Sequence, residues 1–202
     1  MGINDAGEVT GFSDGAGISP HAFIWTRTQG MQDLGTLVGG YYSQGLAINN
    51  RGQVAGYSND IQGNWNAFRW SAATGMQALR NEPHSNSASG NAINDLGQVV
   101  GGAGNTAVLW NSVHNVQSLG TLSGQSWSTA FAINNVDQVV GWSGYLAFIW
   151  TRAAGMQDLN KLIPANSGWV LTFATGINDR GQITGEGTIN GQDHGFLLTP
   201  NP

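Results

Sequence analysis

A chain of 202 residues with 9% charged residues and a formal net charge of −5 has no basic stripe to neutralise phosphates, which excludes nucleic acid as the expected partner. Without cysteine it can build neither a disulfide framework nor a thiolate metal centre, and no apolar run approaches the roughly 20 residues that span a bilayer. The polar surface must come from Gly, Asn, Gln, Ser and Thr, an uncharged and hydrogen-bonding composition.

The first element is Ile3-Asn4-Asp5-Ala6-Gly7, in which Asx side chains bond the backbone and Gly7 supplies a positive φ. Glu8-Val9-Thr10-Gly11 then returns as the second arm of a tight β-hairpin. His21-Ala22-Phe23-Ile24-Trp25 is aromatic and β-branched and reads as a third strand. Gly30-Met31-Gln32-Asp33-Leu34 alternates apolar and polar residues and follows the Trp closely enough for a second short hairpin.

The same unit then recurs. A small-residue stretch, Ser43-Gln44-Gly45-Leu46-Ala47, leads into Ile48, followed by Gln53–Gly56, Asn66–Trp70 and Gly75–Leu79. The third unit has Ile93, Gln98–Gly101, Thr106–Trp110 and Asn115–Leu119. The fourth has Ile133, Gln138–Gly141, Leu146–Trp150 and Gly155–Leu159, with Asp137 in the turn-glycine place, a residue that tolerates the same conformation. The fifth has Ile177, Gln182–Gly185 and His194–Leu198, and reaches Pro200-Asn201-Pro202 with no Met-x-x-Leu strand.

The unit starts near residues 3, 48, 93, 133 and 177 are 45, 45, 40 and 44 residues apart. Four short strands per period of this length predict an all-β, five-bladed β-propeller spanning 1–202 as a single repeat domain, its last blade incomplete. Small residues in the first strand suit the crowded axis, and Met-x-x-Leu suits the rim. The expected state is a monomer with one open blade edge available for pairing. Opening inside a repeat without a secretory h-region, the chain reads as mature, truncated or excised from something longer.

With His21-Ala22-Phe23, the Ile-Asn-Asp/Asn-x-Gly-Gln-Val-x-Gly hairpins and the Gly-Met-Gln-Asp-Leu strands together, the whole chain resembles the HAF repeat family. The full tripeptide stands in the first unit alone; Asn66, Thr106 and Leu146 take the His place elsewhere, and His194 precedes Gly195-Phe196. The resemblance implies a bacterial protein, secreted or at the cell surface, and brings no functional residues with it.

Asp5, Asn50, Asp95, Asn135 and Asp179 share one repeat position, where an oxygen ring for a cation is conceivable but capping of each hairpin's own turn is the simpler reading. His21, His84, His114 and His194 do not make the three- or four-ligand set that zinc needs. Trp25, Trp70, Trp110 and Trp150 hold one repeat position and read as packing. Trp65, Trp127, Trp142 and Trp169 fall in or beside connections, with Tyr41, Tyr42, Tyr57, Tyr145 and Phe12. Tyr42 and Trp127 both stand six residues before a repeat Ile, so they emerge at matching points. Rings beside Asn, Gln and Ser offer a stacking face and hydrogen bonds to a sugar. Tyr42, Tyr57, Trp127, Trp142 and Trp169 are therefore the candidate ligand-binding residues.

No metal, cofactor or catalytic residue is nominated: Gly-x-Ser-x-Gly, HExxH and a P-loop are absent. The expected function is a non-catalytic extracellular binding or scaffold module with carbohydrate, or another protein, as partner. The alternatives are a structural or protein-interaction domain of a larger secreted protein, and a glycan-active enzyme with carboxylates about 5 to 10 Å apart in a cleft.

Overall fold

A computed structural model describes residues 1–15, 18–82 and 85–200; His84, Asn201 and Pro202 lie outside them. The first sheet contains β1 (Gly2–Ile3), β2 (Val9–Gly15), β3 (Ile18–Thr26) and β4 (Gly30–Asp33). The second contains β5 (Ser43–Ile48), β6 (Val54–Asn59), β7 (Trp65–Ser71) and β8 (Gly75–Ala78). The third contains β9 (Ala88–Ile93), β10 (Val99–Ala103), β11 (Thr106–Ser112) and β12 (Asn115–Gly120). The fourth contains β13 (Ser128–Ile133), β14 (Val139–Ser143), β15 (Leu146–Thr151) and β16 (Gly155–Asp158), followed by a 3₁₀ turn at Leu159–Lys161. The fifth contains β17 (Trp169–Ile177), β18 (Ile183–Ile189) and β19 (Gln192–Leu198).

Each sheet is a meander in which sequence neighbours are hydrogen-bonded neighbours. The chain is thus all-β, with five antiparallel sheets of three or four strands, one per sequence repeat. As expected from the missing Met-x-x-Leu segment, the fifth sheet has three strands among the described residues.

The hairpin between the first two strands is set by the Asn after each repeat Ile. Asn49 Oδ1 accepts from the backbone N–H of Arg51 at 3.1 Å and of Gln53 at 2.9 Å. Asn178 does the same for Arg180 and Gln182 at 3.1 and 3.0 Å. The turn glycines take the positive φ expected of them, and Asp137 adopts φ 62° in their place.

The glycine eight residues after each Ile answers a different demand, since it is absent from the positive-φ positions. A Cβ at Gly56 would fall on the carbonyl oxygen of Gln44, and one at Gly101 on that of Ser89. Gly141 and Gly185 meet Thr129 and Phe173 in the same way. Opposite each lies a register shift, between Gly45 and Ala47, Ala130 and Ala132, or at Val100 and Gly101. A β-bulge pushes the first strand's backbone into the second, and only hydrogen fits.

The chain divides into two compact units, Met1–Gly104 with Leu109–Gln117, and Asn105–Val108 with Ser118–Pro202. In the first unit, Ala22, Ile24 and Leu34 of repeat one join Ile48, Val54 and Phe68 of repeat two in a buried cluster, with Trp70 and Met76 against it. In the second, Val140, Ala147 and Leu159 of repeat four join Leu171, Ala174, Ile183 and Phe196 of repeat five. Both clusters obey one rule: the forward face of a sheet packs on the backward face of the next. A Cβ at Gly45 would strike Thr10 Oγ1, and one at Gly90 would come within 3.2 Å of Gly56 O, which is why first strands use small residues.

Trp110 and Trp150 are buried as the repeat predicts, and Trp110 Nε1 donates to Arg80 O at 2.7 Å. Trp25 differs, with 38% of its surface exposed.

Candidate functional site

Two aromatic groups stand on one local scaffold, used twice at an interval of 85 residues. In the first unit, the connection between β4 and β5 is folded by Thr36 Oγ1 donating to Gly40 O at 3.1 Å and by Gly40 N–H donating to Leu37 O. The buried Ser58 hydroxyl accepts from Leu37 N–H at 3.0 Å and donates to Tyr42 O at 2.9 Å. Asn59 Oδ1 accepts from the N–H groups of Tyr41 and Tyr42 at 3.0 and 2.8 Å. Tyr42 is thereby fixed beside Tyr57 on β6 and Trp65 on β7.

In the second unit the corresponding bonds recur. Thr121 Oγ1 donates to Gln125 O at 3.0 Å, and Gln125 N–H to Leu122 O at 2.9 Å. Ser143 Oγ accepts from Leu122 N–H at 3.0 Å and donates to Trp127 O at 3.0 Å. Trp127 stands where Tyr42 stands in the other connection.

Tyr42 and Tyr57 stack with ring centroids 6.3 Å apart, and Trp65 meets them edge-on at 5.4 and 5.5 Å. The Tyr42 hydroxyl accepts a hydrogen bond from Gln44 Nε2. Burial, and then the neighbouring Tyr42, push the Tyr57 phenol above its ordinary value. Beside them Asp60 takes the amide of Asn66 at 2.9 Å. Partial desolvation opposes its ionisation, but the bonds from Asn66, Asn64 and Gln62 outweigh this and hold the carboxyl below the usual range.

In the second group Trp127 lies 6.1 Å from Trp142 and 6.1 Å from Tyr145, and Phe173 backs Trp142 at 5.2 Å. Trp127 is 45% and Tyr145 69% exposed. Tyr145 has φ 89° in a two-residue hairpin loop after Gly144, also at positive φ. That pattern belongs to type I′ turns, where Asn-Gly is the usual pair, as at Asn190-Gly191 here. A bulky residue at such a φ carries strain.

Four of the five residues expected to bind ligand are thus brought together as pairs, Tyr42 with Tyr57 and Trp127 with Trp142. Trp169 stands elsewhere: it packs against the fourth- and fifth-repeat core, and its ring meets His194 at 6.3 Å. The structure adds Trp65, Tyr145 and Phe173. The 85-residue echo between Gly35-Thr36-Leu37 and Gly120-Thr121-Leu122 was the available sequence signal for the shared scaffold.

The shared Asp and Asn position bonds to the neighbouring repeat, while the preceding Asn caps the turn. Asp5 N–H donates to Asn50 Oδ1 at 2.9 Å, Asn50 N–H to Asp95 Oδ1 at 2.8 Å, and Asn135 N–H to Asp179 Oδ1 at 2.8 Å. Asn50 Nδ2 also donates to Asp5 and Asp95, at 2.9 and 3.1 Å. These bonds form a ladder that ties neighbouring repeats. No group of three potential ligands suited to a metal occurs among the described residues.

His21 Nδ1 faces Asp33 at 3.0 Å beside a cleft of about 210 Å³ that Ser13 also lines. Desolvation of Asp33 works against its charge, but the His21 bond, Gly35 N–H and the imidazole's charge prevail and lower its pKa. A cleft of about 660 Å³ on the fifth sheet carries Glu186, Asp193, His194 and Phe173. Both carboxylates there are exposed, without the apolar enclosure that makes a general acid. No helix among the described residues is long and apolar enough to cross a membrane.

The chain matches no known family model and no curated protein.

Proposed function

We propose that the chain is a propeller-type repeat protein of the HAF kind, secreted or at the cell surface, acting as a non-catalytic carbohydrate-binding module. The five sheets are its blades, and the aromatic groups at Tyr42–Tyr57–Trp65 and Trp127–Trp142–Tyr145 are its ligand contacts. The observation behind this reading is the repeated hydrogen-bonded scaffold that ends in partly exposed aromatic rings, with Tyr145 held in a strained turn. Rings of this kind stack on the C–H face of a pyranose, while Gln44, Asn66 and backbone carbonyls take its hydroxyls.

The test is titration of a broad panel of soluble glycans with tryptophan fluorescence as readout. At least one glycan shifts the emission, and Trp127→Ala weakens that binding roughly 5- to 10-fold while the unfolding midpoint stays within about 2 °C. No response to any glycan, or equal binding by Trp127→Ala, would remove the reading.

A further inference from the structure

We propose that the two aromatic groups select a single glycan chain free in solution and reject the flat face of a crystalline polysaccharide. The inference rests on the carbohydrate reading and adds to it the physical form of the ligand.

Each group is built from the same three repeat positions. Tyr42 and Trp127 stand six residues before a repeat Ile, Tyr57 and Trp142 directly after the repeat Gly, and Trp65 and Tyr145 directly before the third-strand segment. Repeat three has Ser87, Gly102 and Asn105 in those places. Its frame nevertheless closes with the same backbone bond: Gly104 N–H donates to Ser87 O at 2.9 Å, as Asn59 N–H does to Tyr42 O and Gly144 N–H to Trp127 O, both at 3.2 Å. The four strands of repeat three also pair in the same order as those of repeats two and four. The frame therefore does not require rings at these positions, and in repeats two and four they come as a full set of three. Side chains that the frame closes without are free to serve a ligand.

What such a set can hold follows from the angles between its planes. A pyranose stacks with its C–H face parallel to an aromatic ring, so a crystalline face, whose sugars lie in one plane, needs rings that share a plane. In the second group Trp127 stands at 46° to Trp142 and 74° to Tyr145, and Trp142 at 61° to Tyr145. In the first, Trp65 stands at 86° to Tyr42 and 73° to Tyr57, while the two tyrosines, 19° apart, are stacked on one another instead of lying side by side. Neither group makes a platform. Trp127, 45% exposed, and Tyr145, 69% exposed, make a corner instead. The corner is held from below: Trp127 O accepts from Ser143 Oγ and Gly144 N–H, Tyr145 sits in the turn with Gly144, and Phe173 backs Trp142. A sugar stacked on Trp127 meets Tyr145 with its edge, and a single chain can turn its next residue past that wall. A crystal face cannot turn, so Tyr145 holds it off the Trp127 plane.

The test presents one sugar chemistry in two physical forms. Cellohexaose is compared with microcrystalline cellulose and chitohexaose with crystalline chitin, alongside soluble xylan and mannan. Tryptophan fluorescence reads the soluble chains, and depletion of protein from the supernatant reads the solids. At least one soluble chain should bind, Tyr145→Gly should weaken that binding about fivefold, and retention on both solids should stay at the level of an inert control protein. Retention on either solid above that control, or unchanged affinity in Tyr145→Gly, would overturn the proposal and leave carbohydrate binding standing. No binding to any soluble or solid glycan would overturn both.

Discussion

The glycines show that one residue type serves two separate demands. Gly75, with φ 66° and no heavy atom within 4 Å of the place a Cβ would take, serves only conformation. Gly101 serves only space, because a methyl group there would occupy the Ser89 carbonyl. Gly75→Ala should cost about 1–2 kcal/mol, the ordinary penalty of a left-handed alanine. Gly101→Ala should cost about 3 kcal/mol or more, since the bulged strand cannot move without breaking its ladder. Urea unfolding of both variants decides the matter, and equal losses would show that the bulge yields. Tyr145 reverses the logic, as an aromatic ring where glycine is at ease. Tyr145→Gly should leave stability unchanged or higher by up to about 1 kcal/mol while weakening glycan binding. A marked loss of stability would make Tyr145 a packing residue.

At the scale of the element, Asn50 lies between the Asp5 and Asp95 carboxylates in the first unit, and Asn135 faces Asp179 in the second. The Asn135 backbone N–H and side-chain amide hold the Asp179 carboxyl below its ordinary value of 3.8. A lowered folded-state pKa stabilises the fold above the unfolded value, and that contribution is lost as pH falls below about 3.8 through the folded value. Asp179→Asn should therefore lower the thermal midpoint at neutral pH, and the difference between the two proteins should narrow as pH falls below about 3.8 through the folded-state value. Asn50→Asp should do the opposite at acid pH: three adjacent carboxylates repel at pH 7, and the midpoint recovers as the solution is acidified. A midpoint insensitive to both changes would mean that the ladder contributes nothing to repeat cohesion. The hairpins themselves were legible in the sequence because Asn, Gly and Asp137 act locally. The ladder was not, since Asp5 and Asn50 are 45 residues apart and their pairing exists only once sheets stack.

Across the whole molecule, the repeat period announced one sheet per unit and a three-stranded last sheet, because each strand pairs with its sequence neighbour. Periodicity could place Trp25 with Trp110 and Trp150 but carried no sign that Trp25 is the more exposed of the three. Tyr42 and Trp127 were legible as a pair by their spacing, whereas Trp65 and Tyr145 were brought in by cross-strand register. The sparse charge has a consequence for any ligand. With 12 acidic and 7 basic residues in 202, and aromatic rings at both candidate contacts, attraction on the proposed reading comes from stacking and short-range hydrogen bonds. Such forces are barely screened, while exposed charges lose their reach as the Debye length shrinks from about 10 Å at 0.1 M salt to about 3 Å at 1 M. Affinity for a neutral glycan should change by less than roughly twofold across that range, and acidic glycans should bind no better at low salt. A steep fall in affinity with salt would place the contact on charged side chains instead, and would remove Tyr42, Trp127 and their neighbours from the binding surface.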